Sequence, residues 1–233
     1  MQKLVFAYLV FGVLAACADS LWAQTPTSAI SASGAPSAAI SFEEHIAAFA
    51  AEDREQAPPA GGILFVGSSS IRLWNDLEKQ FGQSIVIKRG LGGSKMSDCT
   101  RYLDRLVFPY KPRLVVVYAG DNDLAEGISP QGVLLSFQNF VERIQRELPT
   151  TRIAYISIKP SPARVRLIPK IRETNQLILK YTSENQNLDF IEVFTAMLDA
   201  DGRPRAELFR ADALHLNHAG YTLWKTIIAQ HVR

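Results

Sequence analysis

Five short runs of the chain are apolar at nearly every position, and the longer segments between them are apolar at every third or fourth. The runs are Ile63 to Val66, Ile85 to Ile87, Leu114 to Ala119, Ile153 to Ile158 and Leu188 to Val193. Strands that are apolar on both faces belong inside a parallel sheet covered by helices. Gly67, Gly90 and Gly120 follow the first three runs and mark where each strand should stop. Between the runs the period changes to that of a helix. The clearest case spans Pro130 to Leu148, where Val133, Leu134, Phe137, Phe140, Val141, Ile144 and Leu148 share one face. Pro130 suits the first turn and Pro149 follows the end. Helices are also predicted over 96–108, 169–183 and 219–232. Ser41-Phe42-Glu43-Glu44 reads as a capping box opening another, with Ile46, Phe49 and Ala50 on its apolar face. Strands alternating with helices predict an α/β fold, a three-layer α/β/α sandwich with a five-stranded parallel sheet. The chain carries no internal repeat and no second domain of this kind.

Charge divides the chain more sharply than hydropathy does. Residues 1–42 contain only Lys3 and Asp19, while the whole chain holds 25 Lys and Arg and 23 Asp and Glu. Lys3 precedes Leu4 to Ala16, an uncharged apolar run shorter than the roughly 20 residues of a membrane-spanning helix. A basic residue followed by a short apolar core is the pattern of a secretory signal, so residues 1–23 are read as a signal region. Residues 24–41 are mostly Ala, Ser, Thr, Pro and Gly, too poor in apolar area to offset ordering entropy, and read as a flexible linker. Residues 42–233 then form the folded domain. Leu14-Ala15-Ala16-Cys17 resembles the lipobox of bacterial lipoproteins, which implies lipidation at Cys17 and a membrane anchor that does not span. Ordinary cleavage, for example after Ala18 or Ala23, stays open as the alternative. The expected location is the bacterial cell envelope, either periplasmic or as a membrane-anchored lipoprotein. The formal net charge of +2 gives no reason to expect a nucleic-acid partner. Two cysteines exclude a disulfide scaffold, and Cys99 reads as a small buried hydrophobe.

In an open parallel sheet, chemistry gathers at the carboxyl ends of the strands. Gly67-Ser68-Ser69-Ser70, Gly90-Leu91-Gly92-Gly93-Ser94 and Gly120-Asp121-Asn122-Asp123 follow the first three strands, and Asp212-Ala213-Leu214-His215 precedes the last helix. Each is weak alone. Their order and spacing over residues 62–220 resemble the SGNH (GDSL-like) family of serine esterases and acylhydrolases, nearest to the branch of the platelet-activating-factor acetylhydrolase catalytic subunits. The resemblance implies a flavodoxin-like SGNH-hydrolase fold, Ser69 as nucleophile, His215 as general base and Asp212 as its orienting carboxylate. It also implies an oxyanion hole built from the N–H groups of Ser69 and Gly93 and the Asn122 amide. Such residue types are what acyl transfer needs: a hydroxyl, a base to take its proton, and donors aimed at a developing oxyanion. A helix opening at Ser69 would add favourable polarity. Gly93 is expected to let substrate approach the backbone.

Ser68 stands where the family usually has Asp, which leaves Ser68 and Ser70 open as alternative nucleophiles or as helix caps. Gly92 is the alternative to Gly93, and His218 the nearest rival of His215. His45 and His231 fall outside the four blocks. Asp121 and Asp123 are expected to bond loop N–H groups. Arg164 and Arg166, in the loop after the fourth strand, could favour an anionic substrate, although a solvated loop charge is the plainer reading.

The implied function is a metal-independent serine hydrolase that cleaves carboxylic esters through an acyl-enzyme and needs no cofactor. Its substrate would be a small-molecule or carbohydrate ester. The absence of a long apolar lid segment points to short acyl groups such as acetyl. A lysophospholipase or thioesterase, a metallohydrolase using Asp121, Asp123, Asp212, His215 and His218, and a non-catalytic envelope binding protein are the alternatives. The sequence does not set the oligomeric state.

Overall fold

Which helix covers which face of the sheet follows from the two-residue alternation along each strand. The computed structural model describes residues 41–82 and 84–232; the expected signal region, Cys17 and the linker up to residue 40 lie outside the described residues. The chain runs α1 (Phe42–Glu55), β1 (Ile63–Gly67), α2 (Ser69–Arg72), α3 (Leu77–Gln80), β2 (Val86–Gly90), α4 (Met96–Arg101), α5 (Leu103–Leu106), β3 (Leu114–Tyr118), α6 (Asp121–Ala125), α7 (Pro130–Glu147), β4 (Arg152–Ile156), α8 (Ile168–Ser183), β5 (Leu188–Ile191) and α9 (His218–Ile228). The five strands are all parallel, in the order β2-β1-β3-β4-β5. Ile63 lies opposite both Val86 and Leu114, so β1 and its neighbours end nearly level.

Leu64, Val66, Val115, Val117, Ile153 and Tyr155 point to one side, where they pack with α1, α4, α5, α7 and α8. Ile63, Phe65, Leu114, Val116, Ala154 and Ile156 point to the other, against α2, α3 and α9. This is the expected three-layer sandwich. Burying each such side chain contributes about 1.5–3 kcal/mol over leaving it exposed. In α7, Val133, Phe137, Phe140, Val141 and Ile144 are buried, the Ser129 side chain accepts from Gly132 N–H, and Pro130 opens the first turn. The capping box of α1 is formed: Glu44 N–H donates to Ser41 Oγ and Ser41 N–H to Glu44 Oε2.

The last three apolar runs overshoot their strands, while the second stops short of the end of β2 at Gly90. Ile158 and Val193 are buried but lie beyond β4 and β5, because there the backbone bonds side chains: Ser157 Oγ accepts from the N–H groups of Val193 and Phe194. The helix expected over 96–108 is divided into α4 and α5, with a 3-10 turn at Phe108–Tyr110.

Sequence patterning did not reveal how α1 is fastened. Arg89, 4% exposed, bonds Asp53 at 2.5 Å and the Tyr110 hydroxyl at 2.8 Å, and that hydroxyl also donates to Asp53. The Arg89 guanidinium lies 4.8 Å from the centre of the Phe49 ring and 4.7 Å from that of Tyr110. This clamp ties α1 to the end of β2, just where the chain enters the 91–95 loop.

Candidate active site

The order β2-β1-β3 makes the gap between β1 and β3 the point where connections diverge to opposite sides of the sheet, the usual location of a ligand crevice. Ser69 follows β1 there and Asn122 follows β3. The two strand ends are pressed together. Gly67 has φ +145, and a Cβ on it would fall 2.0 Å from the carbonyl oxygen of Tyr118. Ser68 N–H donates to the same oxygen at 2.9 Å.

Ser69 Oγ lies 3.0 Å from His215 Nε2, and His215 Nδ1 lies 2.7 Å from Asp212 Oδ2. An ionised carboxylate can only accept, so Nδ1 carries hydrogen, and in the neutral ring Nε2 faces the serine hydroxyl as an acceptor. Asp212 is fixed by its own turn. Its Oδ1 accepts from His215 N–H at 2.9 Å and Leu214 N–H at 3.0 Å. The N–H of His215, then its ring, then Leu214 N–H hold the Asp212 carboxyl well below its ordinary value. Ala213 takes φ +55 inside this turn, while Phe209 and Leu216 pair across its base.

Ser69 begins α2, but α2 is a single turn of four residues, so the expected help from a helix axis is small; what the turn offers is local N–H groups. The N–H groups of Ser69 and Gly93 have no partner among the described residues. At Gly93 the visible constraint is conformational: φ is +82, and no protein atom lies within 4 Å of a Cβ position. At Gly92 a Cβ would instead meet the Arg72 side chain at 2.7 Å. Asn122 donates from Nδ2 to Ser94 C=O at 3.0 Å, leaving one amide hydrogen. Met96 N–H donates to Asp123 at 3.1 and 3.2 Å, and Lys95 pairs with Glu126 at 2.7 Å. These contacts join residues 94–96, at the end of the second block, to residues 122–126, in and after the third.

The other candidates take different positions. Ser68 and Ser70 are 1% and 0% exposed, and neither Oγ has a partner among the described residues; Ser68 holds the N-cap position of α2 without a side-chain cap bond, and Ser69 is the serine brought to the imidazole. His218 is the exposed first residue of α9, with Asn217 as its cap. His45 meets Ser41 C=O, and His231 pairs with Asp189 at 2.6 Å. Cys99 is buried and unpaired, and burial pushes its thiol up to about 12.

Asp123 bonds a loop N–H as expected; Asp121 does not. Asp121 Oδ2 meets Lys159 Nζ at 2.9 Å, the Tyr118 hydroxyl at 3.1 Å and Arg164 Nη1 at 3.1 Å. Arg164 is therefore no solvated loop charge. Its side chain is 17% exposed, and Nη2 donates to Asn122 Oδ1 at 2.8 Å. Lys159, at the start of the same loop, is 1% exposed. A lysine directly after the run Ile153 to Ile158 was the available signal: a charge continuing a buried strand needs a buried partner. With Asp121, Asp123 and Asp212 each committed to these donors, no group of three or more His, Cys, Asp or Glu among the described residues could hold a metal ion.

Comparison with known proteins gives the family and the fold. The profile of the GDSL-like lipase/acylhydrolase family matches residues 62–223. No curated protein matches the chain. Among solved structures, a protein from Streptococcus pneumonia provisionally described as a platelet activating factor superimposes with a TM-score of 0.73 at 21% identity, covering 82% of this chain and 92% of that one. A GDSL-like lipase from Bacteroides thetaiotaomicron gives 0.71 at 21% identity, covering 82% and 98%. An acetylxylan esterase from Geobacillus stearothermophilus gives 0.62 at 12% identity, covering 75% and 95%. At these identities the structural likeness establishes the fold.

Proposed function

The chain belongs to the GDSL-like lipase/acylhydrolase family, and from that premise we propose that it is an exported serine esterase that removes short acyl groups, acetyl above all, from small-molecule or carbohydrate esters. The observation that carries the reading is the relay from Asp212 through His215 to Ser69, at 2.7 and 3.0 Å.

Ser69 Oγ bonds to the acyl carbon while His215 Nε2 takes the hydroxyl proton. Asp212 holds the ring tautomer and stabilises the imidazolium. The N–H groups of Ser69 and Gly93 and the remaining Asn122 amide hydrogen receive the negative charge of the tetrahedral oxygen. The ester C–O bond then breaks, and His215 gives its proton to the departing alkoxide. Water enters, loses a proton to His215 and attacks the acyl carbon; Ser69 leaves with that proton and the acid is released. Every proton is accounted for by Ser69, His215 and water, so this chemistry calls for no cofactor.

Two points support a short acyl group: the body lacks a long apolar lid segment, and an acetylxylan esterase shares the fold. Lys3, the Leu4 to Ala16 run and Leu14-Ala15-Ala16-Cys17 support export with a lipid anchor on Cys17.

The purified chain should hydrolyse p-nitrophenyl acetate and become labelled at Ser69 by a fluorophosphonate. Ser69→Ala should lose both, with kcat falling by about 10⁶ on the scale of such nucleophiles. Across acyl lengths, activity should be highest at two to four carbons. Unchanged turnover in Ser69→Ala would end the assignment, and a preference for eight carbons or more would end the short-acyl part.

A further inference from the structure

We propose that Arg164 is a positioning residue of the oxyanion hole, which fixes the Asn122 amide in its donor orientation and sets it relative to His215. The inference rests on the roles proposed above for Ser69 and Asn122.

A guanidinium only donates, so the Asn122 atom 2.8 Å from Arg164 Nη2 is the carbonyl Oδ1. Nδ2 is then turned to the 91–95 loop, where Ser94 C=O accepts one of its hydrogens at 3.0 Å. Either bond alone would leave the amide free to swing about its terminal torsion. Together they pin it at both ends and aim the second N–H hydrogen, the one an oxyanion would use.

The hydrogen bonds that Asp121 accepts do not involve Arg164. Lys159, 1% exposed, already meets Asp121 Oδ2 at 2.9 Å, and the Tyr118 hydroxyl meets the same oxygen at 3.1 Å. Arg164 Nη1 comes to that oxygen at 3.1 Å as an added cation. The geometry therefore makes Asp121 an anchor for Arg164, with Asn122 the group acted upon. Arginine suits this because one arm of its planar fork hydrogen-bonds Asn122 while the other rests beside the Asp121 carboxylate as an ion pair without a hydrogen bond, which an ammonium cannot do with fixed geometry.

The same segment reaches the acid–base side. Ala163 N–H donates to Ala213 C=O at 3.0 Å, inside the turn that carries Asp212 and His215. Through Ala163 and Arg164, the stretch Pro162–Leu167 spans from the oxyanion donor to the catalytic base. It fixes a separation that no single strand end determines.

The test is a double-mutant cycle on the full chain with neutral p-nitrophenyl acetate. Arg164→Ala should lower kcat by about 10²-fold, the scale of one lost oxyanion donor, and leave KM within about threefold. In an Asn122→Ala background the same substitution should change kcat by less than about threefold, because the group it positions is gone. Arg166→Ala, an exposed neighbour, should match the wild type. Arg164→Lys keeps a charge for Asp121 but lacks the second arm, so it should lose kcat while its melting temperature stays within a few degrees; it carries the test should the alanine variant unfold. Wild-type kcat in Arg164→Lys, independent multiplicative losses in the double variant, or a loss confined to KM for an anionic ester such as a p-nitrophenyl hemisuccinate would each overturn the proposal. A wild-type protein that neither hydrolyses the ester nor takes the fluorophosphonate would instead defeat the esterase reading itself.

Discussion

Asp121 and Asp123 sit two positions apart, both buried, and are held in opposite ways. Burial works to raise the Asp121 carboxyl, but Lys159 and Arg164 outweigh it and keep it below its ordinary value. At Asp123 burial prevails over the bond from Met96 N–H, and the carboxyl rises to about 6. The sign of the stability effect follows. An unfolded Asp titrates near 3.9. Between that value and about 6 the native state keeps a proton that the unfolded state has lost, so stability from this group is full below about pH 4 and declines as pH rises through 6. Asp123→Asn cannot titrate and keeps an oxygen for Met96 N–H. Relative to that variant, the wild type should therefore lose several degrees of melting temperature between pH 4 and pH 7.5, any constant offset aside. A gap that stays the same at both pH values would show that Asp123 is not raised. That Asp123 would bond a loop N–H was legible in the sequence; the partners of Asp121 were not. Asp121, Lys159 and Arg164 were visible as charges, but their pairing spans about 40 positions, 38 for Lys159 to Asp121 and 42 for Arg164 to Asn122. Position along the chain does not say which charges meet after folding. Ser69, Asn122, Asp212 and His215 were legible because the four blocks that carry them together resemble a known family; Ser69 and Asn122 follow β1 and β3, whereas Asp212 and His215 stand in the turn before α9.

At the scale of elements, apolar runs located all five strands but not where they stop. Hydrophobic pattern reports burial, and burial continues past the last ladder bond at Ile158 and Val193. Stops are better marked by backbone geometry. Gly67 shows this most strongly: φ is +145, and the Tyr118 carbonyl oxygen occupies the space a Cβ would need. Leu91 N–H donates to Gly67 C=O at 2.7 Å, so the same residue also fixes the start of the 91–95 loop. Gly67→Ala should force β1 away from β3 just below Ser69. The expected cost is about 4 kcal/mol or more, at the diagnostic end for single substitutions and equivalent to roughly 10 °C in melting temperature. Gly127 also has positive φ, +90, but no atom lies within 4 Å of its Cβ position. Gly127→Ala should cost only about 1 kcal/mol, the conformational penalty alone. Equal melting temperatures for the two alanine variants would refute the close-approach argument and leave φ as the whole explanation.

For the whole molecule the question is what holds it in place. Among the described residues no helix is long and apolar enough to cross a membrane. The +2 formal charge over 233 residues offers little electrostatic adhesion to an anionic lipid surface, where each basic residue contributes about 1 kcal/mol only when clustered close to it. Attachment in the proposed reading therefore depends on Cys17, in a region whose only charges are Lys3 and Asp19. Cys99 cannot substitute, being buried with its thiol pushed up to about 12. A lipid anchor carries several acyl chains, each methylene contributing about 0.8 kcal/mol when buried, enough for stable association where a single chain is marginal. In a bacterial host, wild-type protein should take up an alkyne fatty acid and sediment with membranes. Cys17→Ser should do neither, while its turnover of p-nitrophenyl acetate per molecule stays at the wild-type value because the residues proposed to carry the chemistry, Ser69 to His215, are left unchanged. Unlabelled wild-type protein in the soluble envelope fraction would establish ordinary signal cleavage instead, and with it a freely diffusing esterase.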